Sequence, residues 1–157
     1  MFPKKELLKW YDDEYCLTEV TKNGLNLQYV KNQTEKICLA AVIQYGFAIR
    51  YVQEQTESIS LGAVKQDGFA LRYVKKQTED VCLAAVKQNG YALQYVKHQT
   101  EDICSLAINQ DGYVIQFIKN PTKLMCISAL VKTTDSIKYI DIQKYPELYE
   151  KYVFMIK

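Results

Sequence analysis

The sequence predicts an all-α protein, an α-solenoid of about six degenerate 22-residue helix pairs with a cap at each end. Two observations carry this. Glycine stands at Gly24, Gly46, Gly68, Gly90 and Gly112, always 22 residues apart, and threonine keeps the same step at Thr34, Thr56, Thr78, Thr100 and Thr122. Residues 67–88 and 89–110, aligned as blocks, are identical at 13 of 22 positions. A fixed period in the twenties marks units that bury their apolar faces only by stacking on one another.

Taken in order, Met1–Tyr11 should form an N-terminal cap, residues 12–142 the repeats, and residues 143–157 a C-terminal cap. Within that last segment a helix from Pro146 would present Leu148, Tyr152, Val153 and Met155. The whole of residues 1–157 reads as one repeat domain, a size that suits one domain. Atypical ends are required, because an end repeat would otherwise expose its stacking face.

One unit shows the local logic. Thr78 is an N-cap, and Glu79 and Asp80 place negative charge in the first turn. Val81, Cys82, Ala85 and Val86 follow at helical spacing, which predicts a first helix of about ten residues. Gly90 then reads as a left-handed stop just past that helix. Tyr91, Ala92, Leu93, Tyr95 and Val96 mark a shorter second helix ending near Gln99. A strand is the competing reading, since the tract is aromatic and Asn89-Gly90 suits a hairpin turn. The apolar residues do not alternate, however, and at helical spacing they leave Gln94, Lys97 and His98 together on one polar arc. The Leu-x-x-Leu-x-Leu pattern of leucine-rich repeats is absent. The aromatic column runs Tyr29, Tyr51, Tyr73, Tyr95, Phe117 and Tyr139. Beside it stand Val30, Val52, Val74, Val96, Ile118 and Ile140.

Composition narrows the function classes. The chain is 48% apolar with a net charge of only +2, so a packed core is affordable and no global charge draws it to nucleic acid or membrane. No apolar stretch is long enough for a membrane span, and the first residues lack a signal-peptide core. Cys16, Cys38, Cys82, Cys104 and Cys126 share one column, with Ser60 in the missing slot. Neighbouring helices stack roughly 8–10 Å apart, too far for the disulfide limit of about 7 Å. A straight column also fails to converge on a metal. Buried, reduced thiols and an intracellular location are therefore expected.

The phrase NG-x-AL-x-YV-x-x-QTE-x-x-CLAAV-x-Q resembles a helical repeat family of unknown function abundant in giant viruses of the mimivirus type. The match is closest from Asn23 to Gln110 and looser to Ile142. Departures are Ser60 for cysteine, Pro121 for the junction glutamine and Lys123 for glutamate. The resemblance implies architecture and a viral source, and brings no catalytic residue with it.

The inventory of chemistry is thin. His98 is the only histidine, and a dyad with Cys104 would need a polar-arc residue to meet a buried one. No phosphate-binding loop occurs. Glu35, Glu57, Glu79 and Glu101 complement helix dipoles more simply than they form paired carboxylates. No enzyme, cofactor or metal is expected. Two surface features remain. The polar arc of the second helix collects Lys31, Arg50, Arg72, Lys75, Lys76, Lys97 and Lys119, with Lys138, against Glu54 and Asp141. It is either a basic binding face or a solvated one. Aromatic pairs at i, i+4 (Phe47/Tyr51, Phe69/Tyr73, Tyr91/Tyr95, Tyr113/Phe117) would sit at the core rim or offer rings for base stacking. The functional expectation is a protein-protein interaction module, monomeric or weakly self-associating. The alternatives are nucleic-acid binding along the basic face and a structural or virion-assembly role.

Overall fold

The computed structural model describes residues 8–141 and 143–153, with the side chain of Val153 left aside. Six ten-residue α-helices alternate with six six-residue 3-10 helices. The α-helices are α1 (Asp13–Lys22), α2 (Glu35–Gln44), α3 (Glu57–Gln66), α4 (Glu79–Gln88), α5 (Glu101–Gln110) and α6 (Lys123–Lys132). The 3-10 helices span Gly24–Tyr29, Gly46–Tyr51, Gly68–Tyr73, Gly90–Tyr95, Gly112–Phe117 and Thr134–Tyr139. Each α-helix packs on the next α-helix and each 3-10 helix on the next 3-10 helix, which makes a two-layered, all-α solenoid. No strand occurs among the described residues, which removes the hairpin alternative.

Each α-helix starts where its cap dictates. The hydroxyls of Thr34, Thr56, Thr78, Thr100 and Thr122 accept from the backbone N–H three residues on, and Asp12 accepts from Tyr15 N–H at 2.7 Å. Such a cap contributes about 1 kcal/mol. The buried stripe of α4 is Val81, Cys82, Ala85 and Val86, and one apolar core continues through every repeat. Ser60 keeps its place in the cysteine column by donating to the Thr56 carbonyl at 3.0 Å.

Two expectations need correction. The second helix is a 3-10 helix that stops at Tyr95 rather than near Gln99, and Val96 is already extended. In this helix Gly90, Ala92 and Leu93 are buried, Tyr91 and Tyr95 are half-buried and Gln94 is exposed, and the bonds from Ala92 N–H to Asn89 O and from Val96 N–H to Leu93 O span three residues, as a 3-10 turn requires. The glycines are not left-handed stops either, since no described glycine has positive φ. They are demanded by close approach. A Cβ on Gly68 would stand 2.5 Å from the Ala85 carbonyl oxygen of the next repeat. The glycine N–H, meanwhile, donates to the next repeat's helix-ending glutamine. Gly24, Gly46, Gly68 and Gly90 bond Gln44, Gln66, Gln88 and Gln110 at 2.6–2.7 Å. At Gly112 the next helix ends in Lys132, and Thr133 Oγ1 accepts instead at 3.2 Å.

A second glutamine column joins the repeats on the other side. Gln77 Nε2 donates to Leu71 O and to Tyr95 O of the next repeat, while its Oε1 accepts from Lys97 N–H at 3.0 Å. Gln33, Gln55 and Gln99 repeat this pattern. Pro121 ends the column, and its carbonyl accepts from Tyr145 Oη and Lys144 Nζ.

At the N-terminal end Trp10, in the short 3-10 helix Leu8–Tyr11, is buried against Tyr15 and Tyr29, and its carbonyl accepts from Lys31 N–H. At the other end α7 (Pro146–Val153) buries Leu148 and Tyr152. Residues 1–7 of the expected N-terminal cap, Ile142, and residues 154–157 with Met155 lie outside the described residues.

The glycine contacts set an order of stability. A Cβ on Gly68 meets a backbone oxygen, whereas the nearest atoms to one on Gly90 lie at 3.1–3.3 Å. Gly68→Ala should cost roughly 1–3 kcal/mol and Gly90→Ala less, measured by urea unfolding. Equal or reversed costs would remove the close-approach account. Ser136 supplies a change of opposite sign. Its hydroxyl is buried without a partner, where Ala48, Ala70 and Ala92 hold the same slot. Ser136→Ala should leave stability unchanged or raise it by about 1 kcal/mol.

Candidate functional site

The seven basic residues expected on one arc fall into two groups. Arg50 and Arg72 stand on the 3-10 helices Gly46–Tyr51 and Gly68–Tyr73. Lys31, Lys75, Lys76, Lys97 and Lys119 lie beyond the helix ends, in the junction loops. All seven are exposed.

Three of the five lysines are tied into the stack. Lys75 Nζ donates to Gln53 O at 3.0 Å, Lys97 Nζ to Lys75 O at 3.3 Å and Lys119 Nζ to Lys97 O at 3.1 Å. Each ammonium thus meets the loop carbonyl one repeat back. The glutamate column runs close by. Thr56, Thr78 and Thr100 hydroxyls donate to Glu35, Glu57 and Glu79 of the preceding repeat at 3.0, 2.6 and 3.3 Å. These glutamates therefore bridge repeats as well as favouring helix starts. Burial raises the Cys82 thiol pKa most, Glu79 raises it further and Lys97 lowers it, so both charges act on one point. The loop edge thus carries glutamates as well as lysines.

The arginine group is held by rings. The Arg50 guanidinium lies 4.6 Å from the Tyr51 ring centre and donates to the Tyr51 hydroxyl. Arg72 lies 5.1 Å from the Tyr73 ring centre and 5.6 Å from that of Tyr95 in the next repeat. Neither arginine forms an ion pair among the described residues. Lys138 sits in the same way between Tyr113 and Tyr139.

The aromatic rings pair between repeats, not at i, i+4. Phe47 meets Tyr73, Phe69 meets Tyr95, Tyr91 meets Phe117 and Tyr113 meets Tyr139, each edge-on at 5.8–6.1 Å. A 3-10 helix rotates about 120° per residue, which turns positions i and i+4 away from each other. Apart from exposed Tyr139 these rings are half-buried. Two hydroxyls are also engaged: Tyr91 Oη donates to Asp111 at 2.8 Å and Tyr113 Oη to Asp135 at 3.4 Å. The Asp111 bond, helped by burial, pushes the Tyr91 pKa up to about 12.

Between the loops lie shallow depressions at equivalent places. One, of about 550 Å3, is lined by Gln33, Cys38 and Glu54 among others. Another, of about 310 Å3, brings exposed His98 and buried Cys104 to one wall. All five cysteines are buried and free. Burial is the first cause raising each thiol pKa, and Cys38, with Glu35 beside it, is pushed up to about 11. Thiols so shifted stay protonated near neutral pH and are weak nucleophiles. No group of three or more His, Cys, Asp or Glu is placed to hold a metal among the described residues, and no helix there is long and apolar enough to cross a membrane.

Residues 57–99 and 78–121 each match the model of a family described as a domain of unknown function, DUF4116. Each match spans two consecutive repeats, and the second is offset from the first by one repeat. The central repeats are thus similar to that family, whose description carries no activity. No curated protein and no solved structure matches the chain.

The raised Cys38 pKa gives a signed prediction. The folded state keeps a proton that the unfolded chain loses near the ordinary value of 9.0, so stability is full below that pH and falls as pH rises toward about 11. Cys38→Ser, which copies the tolerated Ser60, should lose less stability than wild type across that window. Urea midpoints at both ends measure it. Native thiols should also react with a labelling reagent far more slowly than unfolded ones.

Proposed function

We propose that the chain is a non-enzymatic protein-interaction scaffold whose working surface is the face formed by the 3-10 helices. One observation carries this reading: Arg50 and Arg72 are fixed over tyrosine rings on a half-buried aromatic row, exposed and without a carboxylate partner among the described residues. Aromatic and arginine side chains dominate the energetics of protein interfaces. A solenoid presents such equivalent positions as one extended surface. The rings favour a protein partner over nucleic acid. Tyr73 and Tyr95 carry a guanidinium and a neighbouring ring edge, so they offer bases little open area for stacking. Buried Trp10 at one end, and buried Leu148 and Tyr152 of α7 against the last 3-10 helix at the other, favour a monomer over end-to-end assembly. A giant-virus source and an intracellular location rest on the repeat phrase and the cysteine column, and the reading of this face depends on neither.

Affinity capture from expressing cells with mass spectrometry tests the proposal. Arg50→Glu with Arg72→Glu should abolish capture of the partner protein while changing stability by less than about 1 kcal/mol. Lys75→Glu with Lys97→Glu should leave capture intact. Nucleic acid that co-purifies, is lost with the lysine pair and weakens steeply with salt would replace the protein reading.

A further inference from the structure

Resting on the scaffold reading, we infer that the Arg50–Arg72 pair grips an extended acidic peptide segment in polyproline-II conformation, with carboxylates at positions i and i+3. The two guanidiniums are equivalent residues of adjacent repeats, each over the tyrosine that follows it, with Arg72 also reaching Tyr95. Tyr73 links them. It stacks on Arg72, accepts a hydrogen bond that helps raise the Arg50 pKa, and is itself fixed edge-on by Phe47. Each guanidinium has five N–H donors. Arg50 directs donors to the Tyr51 and Tyr73 hydroxyls, and its exposed side chain keeps others for a ligand. A planar fork held in place and lacking a carboxylate is the donor set for bidentate capture of one.

The spacing selects the ligand. Packed helices repeat at roughly 8–10 Å. A polyproline-II segment has three residues per turn and rises about 3.1 Å per residue, so positions i and i+3 lie on one side about 9 Å apart. A β-strand places i and i+3 on opposite sides and does not fit. Beyond Arg72 the row continues with Gln94 and Gln116, which carry no charge to pair with a carboxylate. The segment therefore carries its acidic pair over the first two sites and uncharged residues over the next two.

Selection from a displayed library of random peptides, each about twelve residues long and so able to cover several repeats, tests this on the full chain. Enriched peptides should share acidic residues at i and i+3. Changing either to its amide should weaken binding by on the order of tenfold or more, read by fluorescence anisotropy. Arg50→Gln with Arg72→Gln should remove binding with the melting temperature unchanged. Arg50→Lys with Arg72→Lys, which keeps charge but loses the fork, should also lose about tenfold. The Lys75→Gln, Lys97→Gln variant should bind as wild type. Full retention of binding in the double lysine variant, enrichment of peptides without the acidic pair, or no enrichment overturns the inference. Tight binding of oligothymidylate to the same arginines would do so too. Selection of non-acidic peptides would leave the scaffold reading standing, since partner capture decides that separately.

Discussion

A chain that turns back after every ten-residue helix leaves backbone groups in its connecting loops that no helix can pair. Left unpaired against a neighbouring repeat, each such group costs about as much as a lost hydrogen bond. Gln77 resolves this with one side chain, pairing the carbonyls of Leu71 and Tyr95 and the N–H of Lys97. Because its partners belong to two repeats, loop satisfaction and repeat stacking become a single event. The helix-ending Gln88 does the same across the other layer by accepting from Gly68. Neighbouring repeats are thereby held in one register, and the arginine and tyrosine rows inherit their regular spacing from it. At Pro121 no side-chain amide is available, and the Pro121 carbonyl instead accepts from Lys144 Nζ and Tyr145 Oη, which lead into α7. The stack changes character where its clamp does.

Repetition made the architecture legible. A threonine at a fixed step before an apolar i, i+1, i+4, i+5 pattern has one economical meaning, and all five threonines act as N-caps. The second segment was harder because its contacts are not local. The pattern Gly-aromatic-Ala-Leu-x-Tyr suits either helical period over six residues, and only the backbone bonds between residues three apart, such as Val96 N–H to Leu93 O, decide for three per turn. Gly68 misled for a related reason. A glycine after a helix usually relieves its own backbone, but this one makes room for a carbonyl in the next repeat. The glutamines recur as columns through the central repeats, yet a surface glutamine and a clamping one are the same letter. Their signal was constancy at exposed or half-buried positions, where solvation alone would have tolerated change.

The candidate site was half legible for the same reason. Sequence groups lysine with arginine by charge, whereas the fold separates them by partner. Lys97 reaches a carbonyl one repeat back and shares its neighbourhood with Glu79. Arg72 reaches two rings and no acid. A flexible, strongly hydrated ammonium on a loop beside carbonyls is readily absorbed by the backbone. A planar guanidinium on a half-buried aromatic surface stays oriented and keeps its remaining donors outward.

Orientation matters more here than charge. A net charge of +2 steers little at a distance, and exposed ion pairs contribute at most about 1 kcal/mol each. Affinity must come instead from groups that lose little freedom on binding. Two guanidiniums held by tyrosines, of which Tyr73 and Tyr95 are held in turn by ring edges across a clamped stack, meet that requirement before any ligand arrives. A polyproline-II segment meets it from the other side, because that helix is already a populated state of unfolded chains. In the proposed reading, the hydrogen bonds by which Gln55 and Gln77 tie adjacent loops link the repeat to recognition. They fix the interval between Arg50 and Arg72, and an interval is what a partner with regularly spaced acids can read.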